Sequence, residues 1–95
     1  MRFLVLFEFC PEDLYKAIEK WQKYMEDMEK TPEKYPKILF PQHVTIDKFG
    51  GFYVVEATAE QLANQSDYFR TLLKYKYVPV LEGSKAIEAS IQMKE

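Results

Sequence analysis

The chain has 95 residues, 47% hydrophobic and 16% aromatic, with 13 basic and 15 acidic side chains for a net charge of −2. That length fits one domain, 1–95, and the dispersed charge, with no basic block, argues against nucleic acid as a partner. The single cysteine, Cys10, excludes an intrachain disulfide framework, and no stretch approaches the roughly 20 apolar residues of a bilayer span.

The first strand is expected over Arg2 to Phe9 (RFLVLFEF). Phe3, Val5, Phe7 and Phe9 share one face, while Arg2, Leu4, Leu6 and Glu8 share the other. A strand apolar on both sides belongs in the middle of a sheet covered on both sides. Its second face is bracketed by Arg2 and Glu8, as an interface or cavity wall would be. The run is too short, and Glu8 too polar, for a signal peptide, so the cytoplasm is the expected location.

A helix is expected from Pro11, with Glu12 and Asp13 near the positive end of its dipole. Leu14, Ile18, Trp21, Met25 and Met28 form its apolar stripe. Trp21 is expected to lie buried against Val5 and Phe7. Thr31-Pro32 ends the helix, because a residue before proline disfavours helical backbone. The three prolines between Thr31 and Pro41 read as an ordered loop with a short extended piece at Ile38 to Phe40.

A second strand is expected over His43 to Asp47, with Val44 and Ile46 inward. Gly50-Gly51 reads as the hairpin turn, supplying positive-φ residues, before a third strand over Phe52 to Ala57. Thr58 to Gln61 (TAEQ) is a capping box opening a second helix, whose stripe is Leu62, Phe69, Leu72 and Leu73. The last strand, Tyr75 to Leu81, contains Pro79 and therefore suits a sheet edge. In the C-terminal segment 82–95, Ala86, Ile87, Ser90 and Ile91 predict a short amphipathic helix.

The order strand, helix, strand, strand, helix, strand is that of the split βαβ, ferredoxin-like α+β fold. The opening RFLVLFEF, the block GGFYVVEA at Gly50 to Ala57 and the closing VPV at Val78 to Val80 carry a resemblance. The chain resembles the dimeric α+β-barrel superfamily, and most of all an uncharacterised bacterial and archaeal family within it. The resemblance implies a ferredoxin-like antiparallel sheet, two helices on one face and a homodimer formed sheet to sheet.

His43 is the only histidine and the only side chain with an ordinary pKa near neutrality. With a turn centred on Phe49-Gly50, it lies directly opposite Glu56; other turns of equal parity leave the two diagonal on one face. Arg2 approaches Glu56 from the other side. An Arg2–Glu56–His43 cluster would hold the Glu ionised and favour the imidazolium, a group suited to acid or base work. Its plainer role is a polar network that orders an interface. Leu4, Leu6, Glu8, Thr45, Phe52 and Val54 are the expected ligand or interface residues beside it.

One His and one Cys cannot build a zinc site, and no pair of ligands has a metal-site spacing. No phosphate loop or nucleophile elbow is present, and no cofactor is expected. Cys10 sits at a strand-to-helix junction, where a small capping or buried residue is commoner than a nucleophile. The expected function is a homodimer that binds a small apolar ligand in or near its interior or acts as a structural module. The alternative is a cofactor-free enzyme, monooxygenase- or isomerase-like, using His43 and Glu56.

Overall fold

The computed structural model describes residues 1–45 and 49–94. Its elements are β1 (Arg2–Glu8), α1 (Leu14–Lys30), β2 (Lys37–Val44), β3 (Gly50–Glu56), α2 (Ala59–Tyr68), β4 (Lys74–Val80) and α3 (Gly83–Lys94). This is an α+β fold with one four-stranded antiparallel sheet in the order β2-β3-β1-β4. The apolar β1 is central, and Pro79 lies on an edge strand as expected.

Alternation along β1 and β3 sends Val5, Phe7, Tyr53 and Val55 to one face, where all four are buried. Trp21 of α1 and Leu62 of α2 pack against this cluster. The other face carries Leu4, Leu6, Phe52 and Val54 in register, and neither α1 nor α2 covers it.

A 3-10 turn at Pro11–Asp13 precedes α1, so the regular helix begins at Leu14 rather than Pro11. Its buried stripe is also rotated from the expected one. Ala17 and Tyr24 are buried, whereas Ile18 and Met25 are exposed and Trp21 is only half-buried. The reason is aromatic packing: Trp21 and Tyr24 both meet Phe69, and Trp21 also meets Tyr53. Counting only aliphatic residues, Met and Trp placed the stripe too far to one side.

α2 opens on the expected capping box, with Thr58 and Gln61 exchanging side-chain to backbone hydrogen bonds. Gln65, in a stretch that reads as polar surface, is fully buried. Its amide nitrogen donates to the Tyr53 hydroxyl at 2.7 Å and the Tyr24 hydroxyl at 3.1 Å. Its carbonyl accepts from Tyr77 at 3.1 Å. One amide thus satisfies three phenols from a helix and two strands, the condition for burying polar groups without penalty.

Two sequence expectations are corrected at the hairpin. The strand expected over His43 to Asp47 begins instead at Lys37 and ends at Val44, taking in much of the proline loop; residues 46–48 lie outside the described residues. β2 accepts Pro41 because it is an edge strand with register shifts on both sides of Phe40. Gly50 and Gly51 are not the turn and have no positive φ. They start β3, each squeezed between two strands. A Cβ at Gly51 would collide with the His43 carbonyl and the Phe7 ring, and one at Gly50 with the Phe7 carbonyl.

Gly51→Ala should therefore cost about 2–3 kcal/mol, as an overpacked site does. Urea unfolding measures it, and a loss under about 0.5 kcal/mol would contradict the close approach.

Burial drives the Tyr24, Tyr53 and Tyr75 hydroxyls well above the ordinary phenol value of 10.0, and that of Tyr77 up to about 12. The folded chain holds these protons more tightly than the unfolded one. The resulting stability is whole below about pH 10 and lost as pH rises through 12. Urea midpoints should be level near pH 9 and fall between pH 10 and 12. A flat profile over that interval would contradict the buried phenol cluster.

Candidate functional site

The open face of the sheet is the site the fold leaves available. On a regular strand, Phe40 and His43 would point to opposite faces, because their spacing is odd. In β2 an extra residue intervenes. Phe40 lies opposite Val54 and His43 opposite Phe52, so four residues of β2 span three of β3. This bulge brings both rings to the open face.

There Phe40, His43 and Phe52 form a nearly parallel set. His43 lies 4.7 Å from Phe40 at 10° and 5.6 Å from Phe52 at 16° between ring planes. Phe40 and Phe52 are 6.2 Å apart at 8°. Aromatic pairs of this kind contribute roughly 0.5–1.5 kcal/mol beyond area burial. Leu4, Leu6 and Val54 continue the apolar surface, with Val78 opposite Leu4 on β4. Leu6 on the central strand β1 and Phe40 on the edge strand β2 remain 37% and 44% exposed.

His43 has a defined tautomer. Its Nδ1 lies 2.7 Å from the Pro41 carbonyl oxygen. A carbonyl only accepts, so Nδ1 carries the proton and the neutral ring keeps its lone pair on Nε2. Nε2 has no hydrogen-bond partner among the described residues.

The expected Arg2–Glu56–His43 cluster does not assemble within one chain. Arg2 is opposite Glu56, as expected, but its guanidinium bonds Glu82 at 2.6 Å. The residue of β2 opposite Glu56 is Lys37. His43 is opposite Phe52, because β2 begins earlier and bulges. Glu8 is exposed at the other end of the face, opposite Lys74. Thr45 lies past the end of β2, its backbone N–H bonded to the Gly50 carbonyl. Phe40 is the contributor that sequence reasoning missed, since only the bulge turns it to this face.

A second concavity lies on the opposite side of β2. It is an open cleft of about 840 Å³ between α1 and β2, walled by Trp21, Met25, Met28, Pro36, Ile38 and Pro41. A neighbouring slot of about 310 Å³ shares Trp21 and reaches Leu14, Ile18 and Val44. The polar lining of the cleft comes only from Glu33, Lys37 and Gln42. Cys10 is exposed and makes no side-chain cap to the helix behind it.

Among the described residues, no three His, Cys, Asp or Glu side chains converge as metal ligands. Nor is any helix long and apolar enough to cross a membrane. A family model described as Domain of unknown function (DUF3303) matches residues 1–94. No curated protein and no solved structure matches the chain.

Nitrogen-15 NMR of the histidine ring should show the Nδ1–H tautomer in the neutral form. A dominant Nε2–H tautomer would contradict the bond to Pro41.

Proposed function

The chain belongs to this DUF3303 family, and we propose that it works as a sheet-to-sheet homodimer that holds a small, flat, apolar ligand between its two open faces. On this reading the domain is ferredoxin-like and the pair forms a dimeric α+β barrel. The observation that carries it is the uncovered face, on which Leu4, Leu6 and Val54 continue the surface of the Phe40–His43–Phe52 stack. Contiguous apolar surface of this kind marks an interaction site on a soluble domain.

The histidine narrows the ligand. Parallel rings favour a planar molecule stacked or slotted among them. Nε2 of the neutral ring is an acceptor, so it recognises a donor such as a phenolic O–H, and leaves a bare carbonyl unpaired. A planar phenol is the ligand class that fits both features. The same lone pair supports a second reading, a cofactor-free enzyme in which His43 takes the phenolic proton as general base. In that reading Glu56 of the same chain is not its partner.

Two measurements test the proposal. Sedimentation at micromolar concentration should give a dimer, and Leu6→Glu should shift it toward monomer; a monomeric parent chain would overturn the assembly. Titration with planar phenols should move the His43 ring resonances, while the matching O-methyl ethers should bind at least tenfold more weakly. Trp21 is the single tryptophan and lines the α1–β2 cleft. Phenols that change Trp21 fluorescence but leave His43 unmoved would place the ligand in that cleft and overturn the assignment.

A further inference from the structure

Among the described residues, α3 buries no side chain against its own protomer. Every described side chain from Gly83 to Met93 is exposed, including Ile87 at 62% and Ile91 at 54%. Ala86, Ile87, Ser90 and Ile91 nevertheless line up as one apolar strip. The chain's radius of gyration is 15.5 Å, against about 12 Å for a compact domain of this length. A lone helix of about 12 residues is marginal in water, and most helical stability comes from burying one face. The strip therefore needs a cover from outside its own protomer.

Its root indicates which cover. Arg2 stands on the open face, in line with Leu4 and Leu6, and its guanidinium grips Glu82 at 2.6 Å, one residue before α3 begins. The arm is thus tied to the side of the sheet on which the proposed second copy sits. Charge agrees. Lys74 and Lys76 of β4 line that face opposite Glu8 and Leu6, and neither forms an ion pair among the described residues. Glu88 flanks the Ile87–Ile91 strip and supplies the opposite sign.

We infer that α3 is a clasp: it reaches across the sheet-to-sheet interface and buries Ala86, Ile87, Ser90 and Ile91 against the second copy of this chain. The inference rests on the dimer reading above and adds a partner for the C-terminal helix. It also gives the Arg2–Glu82 pair a task, which is to aim the arm. An exposed ion pair contributes little to stability, but it can restrict the direction in which a short connection leaves the sheet.

The test uses the full chain and the double variant Ile87→Glu/Ile91→Glu. Both positions are exposed within one protomer, so the thermal unfolding of dilute monomer should be unchanged. The dimer dissociation constant from sedimentation equilibrium should rise at least tenfold in the variant. A dimeric parent with an equally tight variant would overturn the clasp and leave the sheet dimer standing. A monomeric parent would overturn both. Hydrogen exchange identifies the cover. Amides of α3 should be protected above the dissociation constant and exchange freely on dilution below it. Protection that survives dilution would mean that α3 packs on its own body, and protection seen only with phosphatidylcholine vesicles would assign it to a lipid surface. Either result would overturn the inference.

Discussion

α1 and α2 lie on the same face of the four-stranded sheet, and the rest of the structure follows from which face they take. α1 and α2 bury Val5, Phe7, Tyr53 and Val55, and the chain spends its largest rings there. Trp21 meets Tyr24, Tyr53 and Phe69, and Gln65 is the polar hub that joins Tyr24, Tyr53 and Tyr77. Neither helix reaches Leu4, Leu6, Phe52 and Val54, of which Leu6 is exposed and the other three half-buried. An apolar face in the middle of a small sheet is costly in water, at roughly 25 cal/mol for each Å² left uncovered. The proposed assembly would relieve that cost, and both the proposed site and the proposed clasp are built on it.

The second determinant is the irregular edge strand. Pro41 cannot donate to a ladder, and β2 slips register on both sides of Phe40. The slip puts Phe40 and His43 on one face and points the imidazole back to the Pro41 carbonyl. The slip between Phe40 and His43 therefore sets the ring stack and the histidine tautomer together. Gly51 is part of the same arrangement, since β3 must pass close to the His43 carbonyl. The geometry of the site is written in backbone contacts more than in any catalytic motif.

Much of the fold was legible because it depends on local periodicity. The apolar residues on both faces of RFLVLFEF placed β1 at the centre, the TAEQ box placed the start of α2, and Pro79 placed β4 at an edge. The candidate site was less legible, because a register is a relation between two strands. Parity put His43 on the correct side of β2, but the bulge decides its neighbour, and that neighbour is Phe52 rather than Glu56. Gln65 was invisible for a related reason. A polar residue in a polar stretch reads as surface unless the three tyrosines that satisfy it are already placed. Ile18 and Met25 misled because helical spacing defines an apolar stripe without saying which part of it a neighbouring helix will claim.

The account stands on the open face being the meeting surface of two copies. The most direct measurement mixes isotope-labelled and unlabelled chains and records only the nuclear Overhauser contacts that cross between them. Contacts from the methyl groups of Leu4, Leu6, Val54 and Val78 to the partner's open face are the predicted result. Crossing contacts confined to the α1–β2 cleft around Trp21 and Met25, or none from the open-face methyls in a sample shown to be dimeric, would contradict it.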